Sequence, residues 1–444
     1  MPAAALDTPY FAPQARLVDA KTNKVIGEAA GGGSTPHQAD VDLLSAKVTL
    51  GINNVCQLQV VLNNQRHKDG KPVFPPWKYN DLSRITFGQR LRLDLRYGNE
   101  ASWHKMIVAR VTDLQFSFPQ SGASQLTIIG EDLLSLLKVK SEAEKPYSHH
   151  TEDFIVRDVL VRSKAKDLGL DFTGTTAGED PLKGPLVRWP ELQPLRSLTH
   201  SKETSYLQFL QSIADRMDFE MFVDFSNRLI LDGKTPADDD NEVKLHFEPA
   251  RSIVKPKEPL EILWGRDLID FTPKFKVWEQ LTGVTVAGTK HGTRARHSHT
   301  LKSTDEAVVK DLQTDTSYSL DKKPVNTLNP AQVRSTFVHT EGADLPNNPS
   351  VSASNLDEDR IKLQAVATLR KSTRELLTAD GSVIGLPGLR PGIHVKIGGL
   401  YPPFDGLYYV TQTVHTYDGN GYRTQFSLRR PGMLDPARYP GDDT

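Results

Sequence analysis

The chain has 444 residues, 38% of them hydrophobic and 25% charged, which is apolar material for several cores and rules out disorder throughout. Lysine plus arginine number 54 against 55 aspartate plus glutamate, so no global charge draws the chain to nucleic acid or to an anionic membrane surface. One cysteine, Cys56, excludes an internal disulfide framework and every site built from several thiolates.

The first ten residues have neither a basic n-region nor an apolar h-region, so no secretory signal is expected, and no long apolar run predicts a membrane helix. Residues 14–30 alternate loosely and stop at Gly31-Gly-Gly-Ser-Thr-Pro36, which makes 1–40 an expected N-terminal arm and linker. A first unit follows over 41–145. Cys56, Leu58, Val60 and Leu62 alternate strictly and predict one arm of a strand pair around Gly51-Ile-Asn-Asn-Val55. Lys71 to Trp77, rich in proline, predicts a rigid extended connection. Leu91, Leu93 and Leu95 alternate with charged residues, and two more strands are predicted at about Met106–Phe118 and Gln125–Gly130. Leu133, Leu134, Leu136 and Leu137 predict a short closing helix.

Residues 146–258 change character and predict a mixed α+β insert. Phe154, Ile155, Val159, Leu160 and Leu168 have helical spacing behind an acidic first turn. Thr204 is a plausible N-cap for the stripe Tyr206, Leu207, Phe209, Leu210, Ile213, Ala214 and Met217, which reads as a helix packed on its own core. Phe219–Asp224 and Asn227–Leu231 read as a hairpin. From Pro259 to 430 the β pattern returns, with strands at Ile262–Trp264, Ile269–Val277 and Thr282–Ala287, interrupted by a polar insertion at about 290–357 and by a helix after Asn355-Leu-Asp-Glu358. Strands then run through Ile393, Val395 and Ile397, Tyr408–Val414 and Tyr422–Leu428; Asp418-Gly-Asn-Gly421 marks a hairpin, and 431–444 is a tail.

Fixed spacings suggest an internal repeat. Gly51 and Gly265 each precede an alternating run by the same distance, and Gly88 precedes Leu91 and Leu93 as Gly392 precedes Val395 and Ile397. The expected fold class is therefore α+β, mostly β: two antiparallel β-barrels with a mixed α+β insert.

No nucleophile elbow, phosphate loop, zinc-binding helix motif or EF-hand loop is present. His297 and His299, with His291 nearby, could line one side of a strand and hold a metal, but no carboxylate or cysteine lies close by, so a solvated loop is the simpler reading. His149-His150 beside Glu152 and Asp153 reads as a loop entering a helix, and Asp238-Asp-Asp240 lacks the alternating spacing of a calcium loop. Lys290 to Arg296 is basic without interleaved aromatics and reads as a surface loop. Cys56 sits in an apolar run and reads as core, while Glu131 and Asp132, adjacent on a strand end, diverge too far to share a substrate. The sequence thus assigns no catalytic, cofactor-binding or metal-binding residue, no cofactor and no enzymatic activity. A β-rich glycan-binding or glycan-hydrolysing protein, with Glu131 and Asp132 working in a cleft, is the alternative class.

Five strings in order, Val48-Thr-Leu-Gly-Ile-Asn-Asn-Val55, Gly130-Glu-Asp-Leu-Leu-Ser-Leu-Leu137, Ser205-Tyr-Leu-Gln-Phe-Leu-Gln-Ser-Ile-Ala214, Leu389-Arg-Pro-Gly-Ile-His-Val-Lys-Ile-Gly398 and Gly406-Leu-Tyr-Tyr-Val-Thr-Gln-Thr-Val-His415, resemble the baseplate hub family of contractile tails. That family comprises the phage late control gene D proteins and the hub part of the type VI spike protein VgrG, and the likeness spans about 40–430. The resemblance implies a homotrimer in which each subunit supplies two tail-tube-like barrels. Three chains then offer six similar units to a hexameric tail tube or tube-initiator protein, around a central channel. It also implies a trimeric spike as partner, other baseplate proteins as neighbours, no membrane insertion by the chain itself, and assembly in the cytoplasm before incorporation into a virion tail or extracellular injection particle. VgrG carries its spike in the same chain, whereas this sequence ends at Thr444, so the spike is expected to be a separate chain.

Overall fold

The computed structural model describes residues 12–28, 42–68, 71–98, 100, 102–168, 170–172, 198–225, 243–249, 259–277, 279–289, 296–302, 327–328, 349–353, 358–401, 404–430 and 433–434. Within them the chain is mostly β, with large antiparallel sheets and a smaller helical component, as expected of an α+β fold. Among the described residues no helix is long and apolar enough to cross a membrane.

The first unit holds β1 (Pro13–Asp19), β2 (Val25–Glu28), β3 (Leu43–Gly51), β4 (Gln57–Asn63), β5 (Gln65–Lys68), β6 (Lys71–Trp77), β7 (Arg90–Tyr97), β8 (His104–Ser117) and β9 (Gln125–Asp132). Side by side the order is β3-β4-β9-β8-β7-β1-β2, with β5 and β6 forming a separate ribbon. Alternation sends Val48, Leu58, Val60, Leu62, Leu91, Leu93, Leu126 and Ile128 into one core, where each is essentially without solvent contact. The expected N-terminal arm is corrected in part. Ala15, Leu17 and Val18 are buried and β1 pairs along its whole length with β7, so this segment completes the sheet. Residues 1–11 and 29–41 lie outside the described residues. The extended connection at Lys71–Trp77 is likewise a strand, β6, paired to β5.

A 3-10 helix, Leu133–Lys138, capped by the Asp132 carboxylate, leads into the insert. There follow β10 (Lys145–Tyr147), α1 (Glu152–Arg162), β11 (Asp171–Phe172), β12 (Leu198–His200), α2 (Tyr206–Met217), β13 (Phe219–Phe225) and β14 (Val243–Pro249). The α2 stripe is buried as predicted, but the N-cap is Ser205, one residue beyond Thr204, because Ser205 and Gln208 complete a capping box. Phe154 and Leu168 face solvent while Ile155, Val159 and Leu160 are buried. The partner of β13 is β14; the expected hairpin arm at 227–231 and Asp238–Asp240 lie outside the described residues.

The second unit opens with β15 (Leu260–Leu263) and β16 (Leu268–Phe275). A long insertion carries β17 (Gly283–Thr289), β18 (Arg296–Lys302), β19 (Thr327–Leu328), β20 (Ser350–Ala353) and α3 (Glu358–Arg374) before β21 (Leu377–Ile384), β22 (His394–Gly398), β23 (Gly406–Asp418), β24 (Gly421–Arg430) and β25 (Met433–Leu434). The stretch read as a polar insertion at about 290–357 sits inside a longer one. It spans the whole gap between β16 and β21, and Val284, Val286, Leu301, Ile361, Ala365 and Leu369 give it a core of its own. Within the expected tail, β25 pairs with β19.

The second unit runs β16-β21-β24-β23-β22-β15. The first runs β3-β4-β9-β8-β7-β1, so six strands taken in chain order occupy the same six places in both units. The sixth differs in direction: β1 is antiparallel to β7, whereas β15 is parallel to β22, which corrects the expectation of two wholly antiparallel barrels. Irregularities coincide as well. Gly88 (φ 77°) and Gly392 (φ 86°) precede β7 and β22, and their N–H groups donate 2.9 Å bonds to the carbonyls of Val111 and Val410. The ladder slips just after those two residues, and the hydroxyls of Thr112 and Thr411 bond to the carbonyls of Ile129 and Ser427 at 3.2 and 3.0 Å. A further pair of bulges exposes Leu44 on β3 and Ile269 on β16. Gly88 and Gly392 are thus equivalent, with Leu91 and Leu93 in one core and Val395 and Ile397 in the other. Gly51 and Gly265 are not, because β16 takes the place of β3 rather than β4; a period of two matches any strand to any other. Alanine at Gly392 would carry a Cβ into the left-handed region, and a loss of about 1 kcal/mol in urea denaturation is expected.

Candidate functional site

The two units and the insert meet at β13, which carries a different chemistry on each face. Met221 and Phe225 point into the insert core beside α2. Glu220, Phe222 and Asp224 point the other way, where a solvated strand face would ordinarily lie, yet all three are buried. Phe222 closes a small apolar cluster with Ile52 of the first unit and Tyr409 of the second.

Charge is neutralised around it residue by residue. The Arg390 guanidinium donates to Asp224 at 3.0 Å and to the carbonyl of Lys105 at 2.8 Å, so one buried side chain joins the insert to the start of β8. Glu220 accepts from the Tyr409 hydroxyl and from Arg429. Burial alone would raise the Glu220 carboxyl; the Arg429 guanidinium and the Tyr409 hydroxyl outweigh it and hold the carboxyl below its ordinary range. Arg374 at the end of α3 forks onto Asp218, the left-handed C-cap of α2, and Arg360 near its start forks onto Glu152 of α1 at 2.8 and 3.1 Å.

Asn53 completes the joint from the first unit. Its backbone is left-handed (φ 59°), its N–H donates to the Met221 carbonyl at 2.7 Å, and its side-chain oxygen accepts the Met221 N–H at 2.7 Å. Its carbonyl accepts from Gln211 of α2 at 3.0 Å. Asn53→Ala leaves the Met221 N–H without this partner and puts alanine, which tolerates the αL region less well than asparagine, at φ 59°, so an equilibrium denaturation loss of about 2 kcal/mol is expected. Asn53, Arg390, Tyr409 and α2 come from four of the five strings that carry the resemblance; the junction is where those strings meet.

Among the described residues the other candidates do not assemble into a chemical site. Asp132 is buried, accepts the N–H groups of Cys56 and Leu134 at 3.1 Å each, and is raised by burial to about 7. Glu131, on the opposite face of the strand end, is paired with Lys138 at 2.7 Å, so the two carboxylates share no cleft. Cys56 is buried and burial raises its thiol well above the ordinary range, the reverse of an activated nucleophile. His297 and His299 lie half-exposed on β18. Of the basic run, Arg296 opens that strand, while residues 290–295, His291 among them, lie outside the described residues. His150 stacks on Phe154, ring centres 4.0 Å apart. Among the described residues no group of three His, Cys, Asp or Glu is placed to hold a metal ion. The cleft lined by Glu152, Ile213, Arg216, Met217, Arg360 and Leu363 offers about 10 Å³, the space of a single water. What the arrangement does chemically is bind its own parts together.

No protein-family model and no curated protein matches the chain. Solved structures do. The tail protein from Neisseria meningitidis MC58 superposes with a TM-score of 0.57 at 11% identity, over 97% of this chain and 100% of that one. The fold is that of a tail protein. The 43 kDa tail protein of prophage MuSo2 from Shewanella oneidensis follows at 0.53 and 12% identity, over 94% and 98%. Both likenesses span nearly the whole of this chain and of the two tail proteins, so both units and the insert lie within the matched length.

Proposed function

We propose that the chain is a structural baseplate hub of a contractile tail or injection system. Three copies close into a ring, and the two six-strand units of each, 41–145 (completed by β1) and 259–430, are tail-tube-like barrels presenting six similar surfaces to a hexameric tail tube or tube-initiator protein. A separate trimeric spike attaches on the opposite side, around a central channel, with other baseplate proteins outside. The insert at 146–258 and the insertion at about 290–357 lie on the outer or spike side. The chain assembles in the cytoplasm, becomes part of a virion tail or extracellular particle, and acts without catalysis. The observation that carries this reading is the repeated strand order with its three matched irregularities, since a threefold ring of duplicated units meets a sixfold partner without unmatched contacts. The tail-protein fold supports it.

Native mass measurement of the purified full chain, alone and with tube protein, tests the proposal. Three copies per closed ring are expected; two or six overturn it. Deleting 300–355 is expected to leave the trimer intact, because loops and inserted elements tolerate loss where repeated walls do not.

A further inference from the structure

Within one chain the two units are joined edge to edge: β3 pairs with the far half of β23, from Gln412 opposite Gly51 to Tyr417 opposite Ala46. On its inner face that joint buries Thr413, His415 and Tyr417 against Leu50, Val48 and Ala46. The internal equivalence has a consequence for the ends of the sheet. The counterpart of β3 is β16, and the counterpart of the far half of β23 is the far half of β8. Among the described residues both are unpaired on the corresponding side: β16 is the last strand of the sheet path, and β7 pairs with β8 only as far as Arg110.

We propose that β16 of one copy pairs antiparallel with residues 113–118 of a second copy, repeating between chains the joint that β3 and β23 make within one. This rests on the trimeric reading above and adds to it which edges meet and in what register. The matched bulges and ladders fix that register: Leu44 corresponds to Ile269, Val48 to Pro273, Gln412 to Asp113 and His415 to Phe116. Transferring the internal pairing then sets Asp113 opposite Lys276, Leu114 opposite Phe275, Gln115 opposite Lys274, Phe116 opposite Pro273, Ser117 opposite Thr272 and Phe118 opposite Phe271.

Nothing in that transfer used side-chain chemistry, yet the chemistry agrees. Every apolar residue falls opposite an apolar one on one face, and every polar residue opposite a polar one on the other, with Asp113 and Lys276 of opposite charge. A slip of one residue would set each apolar side chain against a polar neighbour. The apolar row also has the exposure of an uncovered joint. Phe118 is 52% and Phe275 39% exposed, whereas Tyr417 and Leu50, their counterparts in the internal joint, are 8% and 5%. Pro273 is compatible with the edge: its missing donor faces away from β21, which removes one bond from the new ladder and discourages unspecific strand addition.

Cysteine pairs read the register directly. In the full chain, whose natural thiol at Cys56 is buried, Ser117→Cys with Thr272→Cys should give covalent two-chain and three-chain species with a short bifunctional thiol reagent. Ser117→Cys with Lys276→Cys, four residues out of register, should link at least about tenfold less, because only directly opposed side chains approach within reach. Ser117 and Thr272 are exposed on strand faces, Lys276 follows β16 and is paired with Glu375 at 3.2 Å, and native mass measurement of each variant before linking confirms assembly. A native trimer that fails to link at Ser117 and Thr272, or links better through Lys276, overturns this joint and leaves the trimer standing. A chain that stays monomeric and does not link overturns both readings.

Discussion

Replacing Arg390 by methionine should lower the unfolding free energy by about 3–5 kcal/mol, the cost of removing one member of a buried ion pair. Arg390 is 4% exposed and reaches both Asp224 of β13 and the Lys105 carbonyl at the start of β8. Methionine fills most of the volume, so lost packing contributes little and the lost ion pair to the Asp224 carboxylate dominates. The double variant Arg390→Met with Asp224→Leu should therefore recover much of the loss, since replacing both members of a buried pair by apolar residues is close to neutral. Guanidinium denaturation of the single and double variants decides it. A single variant within about 1 kcal/mol of the parent would mean that the junction does not depend on this pair. The expected consequence in assembly is a subunit whose two units still carry their own cores but no longer hold a fixed angle to the insert.

Periodicity made most of the strands legible. Leu58, Val60 and Leu62, or Leu91, Leu93 and Leu95, fall into line because one dry face demands alternation. Pairing partners were not legible, since alternation carries no label for its neighbour; hence spacing alone sets Gly265 beside Gly51 although β16 stands where β3 does. The glycines at 88 and 392 could be matched because each does something specific, a positive φ ahead of a bulged partner strand. The N-terminal strand is hidden for a different reason: Ala15, Leu17 and Val18 do not keep a strict period of two, because the ladder slips between Leu17 and Val18.

The junction was invisible from the residues alone. Glu220 and Asp224 alternate with apolar neighbours and read as the wet face of β13; only the second unit, folded against them, makes that face an interior. A usable signal was present in Phe222, a large aromatic on the same face as two carboxylates, which a solvated strand has no reason to carry. Arg390 gave no signal, because it sits in a turn between Leu389 and Pro391, where no period applies.

Acid should weaken the joint between the two units through His415, and the difference between parent and His415→Gln isolates the effect. The imidazole is 1% exposed, its Nδ1 within 2.8 Å of the Tyr422 hydroxyl and 3.1 Å of the Thr424 hydroxyl, on the β23 strand that pairs with β3. Burial, helped by the nearby Arg390 guanidinium, lowers it from 6.5 to about 3, so the folded chain holds it neutral. An unfolded chain takes up that proton below pH 6.5 and the folded one does not, so the stability is complete above pH 6.5 and drains away as the pH falls toward 3. At about 1.4 kcal/mol per pH unit, the parent should lose about 3 kcal/mol relative to the variant by pH 4.5. Asp132 works in the opposite sense: burial raises its carboxyl to about 7, so the unfolded chain releases that proton first and stability falls as the pH rises toward 7. The parent's own profile is thus flattened by two opposed groups, and the variant should be the one with the visible slope, losing stability from about pH 4 to 7. Urea denaturation of both proteins at half-unit steps measures it; parallel profiles would mean that His415 takes up its proton in the folded state and that the strand joint opens to admit it.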